Sequence, residues 1–319
     1  MNDDAKTLAT ECLQAANACH DDDPPRGAEL LQRIDAAALD PGQQPLYGFL
    51  LNHVLTEKLG LAAEAWRRQQ ALLAAAGEGA ALPVLRHAAA AARLAGEAAA
   101  EDRLTTRLAS AAGVGPAQAS ELVGLAAASF TIPRLTGAAA GEAALAALAP
   151  MHGPAWRQAN GLDAAAGALT SNLASDLVER PLPELAAEPL RRAMADAAEL
   201  AQNLWHRAGR WVQHERAHYL RAMVANALGD VATAAAQARA GLVLLENFDQ
   251  AGQERVDQAF LRSELAHALA RAGEAAEAQV ERSLADALAE AFDDAGLTRW
   301  YQDRLGRQAA LSAAAAAAA

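Results

Sequence analysis

The chain has 319 residues averaging roughly 103 Da each, because about 90 of them are alanine and only 4% are aromatic, so a core built from large aromatic side chains is excluded. An apolar share of 53%, a charged share of 21% and a mean hydropathy of −0.01 belong to a folded globular chain, not a disordered or membrane-embedded one. Thirty-nine acidic residues against 27 basic ones leave a net charge of −12, which opposes the counterion release that drives nucleic-acid binding and argues against a DNA or RNA partner.

The N-terminus, Met1-Asn2-Asp3-Asp4, is acidic where a secretory leader is basic, and no apolar run approaches the ~20 residues of a membrane span. The expectation is a cytoplasmic protein with no membrane partner. The first predicted hairpin pairs Lys6–His20 with Glu29–Leu39. Its helix carries both cysteines, Cys12 and Cys19, whose seven-residue spacing separates them by about 10 Å along a helix, too far for a disulfide. They read as small buried thiols. The run Asp21-Asp22-Asp23 beside His20 reads as an exposed hairpin turn rather than a metal site.

Alanine and leucine favour helix throughout, and Val, Ile and Thr are too scattered to build strands. Glycines at 60, 96, 229 and 273 follow small or apolar residues, where a left-handed cap ends one helix and starts the next. The intervals, 36 residues between the first two and 44 between the last two, are those of helical-hairpin repeats. They divide the chain into Leu46–Leu73, Leu82–Leu108, Glu215–Leu242 and Ala259–Ala285, each a helix, a glycine turn and a second helix. Between them, from about Thr105 to Arg210, the period is lost. Pro116, Pro133, Pro150 and Pro154 interrupt shorter helices, two longer ones are predicted at Ala155–Val178 and Leu190–Ala208, and Arg180-Pro181-Leu182-Pro183 is the sharpest break. A terminal helix around Trp300 and Tyr301 is expected to cap the stack, and Ala313–Ala319 is a homopolymer that carries no chemistry. The organisation expected is therefore N-terminal hairpins (1–110), diverged hairpins (111–210), C-terminal repeats with a capping helix (211–312), and the tail (313–319).

Around the last two turn glycines, small residues stand seven places before, five after and twelve after: Ala222, Ala234 and Gly241 about Gly229, and Ala266, Ala278 and Ala285 about Gly273. Around Gly60 only Ala65 fits, with His53 and Leu72 in the other places, and around Gly96 only Ala89, with Glu101 and Leu108. The pattern resembles the tetratricopeptide repeat (TPR) family, in degenerate form. His218 stands where that family prefers Trp, and no Pro closes the repeats that begin at Glu215 and Ala259.

The resemblance implies an all-α, right-handed superhelical solenoid of seven or eight stacked antiparallel hairpins. It also implies a non-catalytic scaffold or adaptor that binds a protein or peptide along its concave face, with no cofactor. On the register above, that face carries Arg216, Tyr219, Met223 and Asn226 in one repeat and Phe260, Ser263, His267 and Arg271 in the next, with Arg86 and Arg93 nearer the N-terminus. Guanidinium forks and amides at such places suit a carboxylate or an acidic segment.

Two alternatives follow from other features. His214-Glu215-Arg216-Ala217-His218 is an HExxH pattern, in which two histidines one turn apart ligate zinc and the glutamate polarises the bound water of a hydrolase. Against it stand the charge of Arg216 between the ligands, the lack of an upstream strand to bind substrate, and a third ligand to be found among Glu246, Glu254 and Glu264. The C-terminal aromatics, Trp205, Trp211, Tyr219, Phe248, Phe260, Phe292, Trp300 and Tyr301, could instead close a small-ligand or cofactor pocket between hairpins. Trp66 and Trp156 read as core.

Overall fold

The computed structural model describes residues 3–249 and 251–318, and among them every regular element is helical. The chain separates into two compact units. One reaches to Thr136 and includes Ala146–Ala165, and the other comprises Gly137–Leu145 and the chain from Ala166 onward. The segment 111–210, expected as one block of diverged hairpins, is thus divided between them.

The first unit begins with α1 (Asp3–Cys19) and α2 (Pro24–Gln32). The Asp23 carboxylate accepts from the Arg26 N–H at 3.1 Å, capping α2 where Pro24 and Pro25 have no donors to satisfy. Cys12 is buried and Cys19 only partly so, and both are free thiols. The second arm is shorter than expected, ending at Gln32, with a 3-10 turn at Ala36–Ala38.

Then α3 (Gln44–Leu50) continues as a π-helical stretch, Leu51–Lys58, to the turn at Gly60 (φ 73°). Asn52 on this stretch is fully buried: its Nδ2 donates to the His87 carbonyl at 2.8 Å, and its Oδ1 accepts from Gln69 Nε2 at 3.0 Å. Gln69 also donates to the Gly48 carbonyl, so three helices are tied by one amide pair: α3, α4 (Ala62–Ala76) and α5 (Leu82–Leu94). α6 (Ala98–Ala112) and α7 (Pro116–Ser129) follow, each packed on α5. Trp66 and Trp156 are buried as expected, and Trp156 Nε1 donates to Glu121 at 2.7 Å.

The second unit contains most of α8 (Gly137–Leu148) and α9 (Asp163–Val178), followed by α10 (Glu188–Ala208), α11 (Trp211–Leu228), α12 (Val231–Phe248), α13 (Arg255–Ala272), α14 (Ala275–Ala289) and α15 (Ala295–Ala318). α9 starts eight residues later than its predicted Ala155, because Pro154–Trp156 forms a separate 3-10 turn. Each helix from α10 to α14 packs on the next, and α11 also meets α13. Gly229 (φ 87°) and Gly273 (φ 86°) end α11 and α13 in the left-handed conformation that glycine adopts without steric cost, and two-residue connections there turn the chain straight back.

All six small positions around these turns are buried. The closest is Gly241, where an added Cβ would lie 2.9 Å from both methyls of Leu261 and 3.4 Å from His218 Cβ. Helices carrying alanine or glycine at their crossings approach closely, which compensates for the small area each alanine buries.

Gly141 marks the tightest helix approach in this unit, since a Cβ there would fall 2.2 Å from the backbone N of Leu190. Gly141→Ala is expected to lower stability by roughly 3 kcal/mol, because backbone cannot yield as a flexible side chain can. Gly306→Ala, on an exposed turn of α15 with nothing within 4 Å, should raise stability by up to about 1 kcal/mol. Urea melts of the two variants check both signs.

Candidate functional site

Most of the residues expected on an open concave face are buried or half-buried, and those of α13 among them lie against another helix. Met223, Asn226, Phe260, Ser263 and His267 are buried, Tyr219 and Arg271 are half-buried, and Arg216 alone of the eight is exposed. The cover is α15, which runs along α13. The Phe260 ring centroid is 4.5 Å from that of Trp300 and 5.5 Å from that of Tyr301, while Ser263 Oγ lies 3.2 Å from Gln308 Oε1. The helix expected as a cap therefore lies along α13.

The arginines expected to receive a carboxylate already hold partners of their own. Arg216 donates to Asp257 (2.8 Å) and Glu254 (3.2 Å), and Arg271 to the Asn226 carbonyl (2.9 Å). In the first unit Arg93 donates to Glu101 (2.7 Å), while burial lowers the Arg86 guanidinium to about 10.

The centre of the covered face is acidic. Glu264 on α13 has no exposed surface, and its carboxylate accepts from three side chains: Arg304 Nε (2.5 Å), Gln308 Nε2 (2.9 Å) and Asn226 Nδ2 (2.7 Å). Burial alone would raise its pKa, but the charge and hydrogen bond of Arg304, together with Asn226, hold it below the usual carboxylate range. Arg304, only 2% exposed, is raised above its ordinary value, because Glu264 more than offsets its desolvation. Both groups are ionised. The other end of the guanidinium is less well satisfied: Nη1 is 3.5 Å from Glu179 Oε1, and neither Nη1 nor Nη2 makes a hydrogen bond among the described residues. Nearby, Arg307 donates to the carbonyls of Val178 and Arg180, anchoring α15 to the end of α9.

Along one edge of this interface, an open cavity of about 450 Å³ lies between α13, α14 and α15, lined in part by His267, Arg282, Leu305 and Gln308. Burial lowers His267 to about 4, so the imidazole is neutral, and its Nε2 has no hydrogen-bond partner. Arg282 is held by Ser263 Oγ (3.0 Å) and Gln308 Oε1 (2.8 Å).

The HExxH residues divide between two faces of α11. His214 Nε2 is 3.0 Å from the Trp205 carbonyl, and His218 Nδ1 is 2.7 Å from Gln237 Oε1 and 3.0 Å from Gln202 Nε2. His206 joins them, its ring centroid 5.2 Å from that of His214 and 6.0 Å from that of His218. Glu215 is fully buried on the other side, facing Asp257 of α13 and not the histidines. Of the candidate third ligands, Glu264 is bound to Arg304, Glu254 to Arg216, and Glu246 is exposed. Among the described residues, the two histidines gain no third side chain that brings all ligand atoms within 4.8 Å. The α10 histidine and the Glu264 network were not anticipated from sequence; the i, i+4 spacing of Arg304 and Gln308 was their available signal.

No protein-family model and no curated protein matches the sequence.

Burial, reinforced by the charge of Asp257, raises Glu215 to about 9, so it holds a proton at neutral pH. Between an unfolded value near 4.5 and about 9, the folded chain keeps a proton that the unfolded chain has lost, so this residue's contribution to stability falls as pH rises through that window. Glu215→Gln should therefore gain stability over wild type progressively from pH 5 to pH 9, by about 2 kcal/mol or more at the upper end. Urea melts at pH 5, 7 and 9 measure the trend.

Proposed function

We propose that this chain is a non-catalytic binding protein of TPR-like stacked hairpins, located in the cytoplasm, whose recognition face is formed by α11 and α13. The observation that carries the reading is α15 itself: a helix already seated on that face through one buried arginine and two aromatic residues. The hairpins thus offer what a helical ligand needs. Glu264 sits at the centre, a glutamine-accepting and guanidinium-accepting carboxylate, and Phe260 provides an apolar anchor beside it.

This placement revises the chemistry of the partner. Arg216 is paired with Asp257 and Glu254 and Arg271 donates to the Asn226 carbonyl, so the charged group this face offers to a helix in the place of α15 is the Glu264 carboxylate. A helical segment carrying an arginine and an aromatic residue four places before it, as Trp300 and Arg304 are arranged, suits it better than an acidic segment. The cavity beside His267 supports the same reading, since it leaves the α15 interface less densely packed than a permanent core contact. The zinc-hydrolase reading has no comparable support, because the HExxH glutamate and histidines face different neighbours.

The test uses a labelled peptide of residues 295–312 added to the full-length chain. Tyr301→Ala/Arg304→Ala should loosen the resident α15 and let the peptide bind at least about tenfold more tightly than it binds wild type, a difference of about 1.4 kcal/mol. A peptide with alanine in place of Arg304 should lose that gain. Equal binding to the wild type and to a variant whose thermal melt stays cooperative would overturn the reading.

A further inference from the structure

The first unit contains a side-chain cluster that the binding reading does not use. Asp21 follows α1 and is turned toward the π-helical stretch Leu51–Lys58, while Asp23 caps α2. Asp21 Oδ1 lies 3.2 Å from His53 Nε2, and Asp21 Oδ2 lies 3.2 Å from His20 Nε2. One atom from each of the three residues falls within 4.8 Å of the others.

We propose that His20, Asp21 and His53 form a binding site for a first-row divalent transition metal, with zinc the ion that best suits the ligand set. Three features of the geometry support it. First, an Asp21 oxygen lies 3.2 Å from each imidazole Nε2 and one ligand atom of each residue falls within 4.8 Å of the others, so small side-chain adjustments close the set onto the ~3.3 Å edges of a tetrahedral zinc site. Second, both imidazoles are oriented from behind. His20 Nδ1 is 2.6 Å from the Asn17 carbonyl, and His53 Nδ1 is 2.9 Å from Glu57 Oε2. The Asn17 carbonyl and the Glu57 carboxylate thus orient the two rings from behind, with each Nε2 turned toward the shared Asp21 carboxylate, the arrangement in which outer carboxylates and carbonyls fix metal-binding histidines. Third, His53 and Glu57 lie on a π-helical stretch, and such winding is concentrated at functional sites. Phe49 stacks on the His53 ring at 5.2 Å and fixes its plane.

Lys58 occupies the position of the counter-charge. Its Nζ is 2.9 Å from Asp21 Oδ1 and 3.6 Å from Glu57 Oε1, so the ammonium balances the two carboxylates until a divalent ion takes over that role. The lysine side chain is 30% exposed. Asp21, 59% exposed, leaves the outer side of the site open to a water as the fourth ligand.

The test is equilibrium dialysis of the full-length chain against Zn²⁺ with elemental analysis, backed by the visible absorption of Co²⁺ as a report on coordination. Wild type should take up one ion per chain. His53→Ala and Asp21→Asn should each weaken binding by about 30-fold or more, while Lys58→Met, which removes the competing charge, should tighten it several-fold. Asp21→Asn alters a largely exposed side chain, so its thermal melt separates loss of the ligand from loss of the fold. His214→Ala/His218→Ala should leave the uptake unchanged. Binding that persists in His53→Ala, binding that disappears in the His214/His218 variant, or no uptake at roughly millimolar Zn²⁺ would each overturn the assignment.

Discussion

The ion pair between Glu264 and Arg304 dictates the arrangement of the second unit. Both groups are withdrawn from water, and two charges so placed are tolerated only if they face each other; three side-chain donors meet the Glu264 carboxylate, while Arg304 answers it through Nε and has Glu179 3.5 Å from Nη1. That condition fixes α15 on α13, requires Asn226 of α11 to donate to the same carboxylate, and brings Gln308 within reach of both Glu264 and Ser263. Removing one partner leaves a buried charge at a cost of about 3–5 kcal/mol, whereas the net stabilisation from the intact pair is close to zero. The pair therefore contributes specificity. It selects where α15 sits, which alanine cannot do.

An alanine-rich core makes such a device necessary. Alanine is compact and carries no distinguishing shape, so a helix studded with it fits many neighbours almost equally well, and close approach at Gly241, Ala234 and Ala266 supplies attraction without choosing a register. Register comes from polar groups that tolerate one partner only. The first unit follows the same logic, with Asn52 and Gln69 locking three helices through the carbonyls of His87 and Gly48. The proposed binding face and the proposed metal site each sit beside such a lock, since the groups that fix a helix also present oriented donors and acceptors.

Much of the architecture was legible in the sequence, and the reason is local. The left-handed caps at Gly60, Gly96, Gly229 and Gly273 are set by backbone sterics that only glycine relieves, and each occurs where the sequence placed it. The small positions about the last two turns are buried for an equally local reason, the distance between two helices joined by two residues. The seat of α15 was not legible, because the residues it buries, Tyr301, Arg304 and Gln308, recur at helical spacing but include two that read as solvated. Only Glu264, forty residues earlier in the chain, makes them interior. The same non-local dependence hid the cluster of His20 and His53, which lie 33 positions apart and meet through a π-helical winding that composition does not announce. HExxH shows the limit of a linear pattern: consecutive residues on a helix are about 100° apart, so Glu215 and His214 face different neighbours, which spacing alone does not reveal.

The claim on which the account rests is that α15 is seated on α11 and α13 by the Glu264 carboxylate, and amide hydrogen exchange measured by mass spectrometry tests it most directly. In the wild type, the amides of residues 299–311 should exchange slowly. Glu264→Gln should accelerate them by at least about tenfold, equivalent to a loss of about 1.4 kcal/mol of local protection, while the amides of α10 keep their wild-type rates. Exchange of residues 299–311 in the wild type at the rate of an unprotected helix, or protection there that is unchanged in Glu264→Gln, would contradict it.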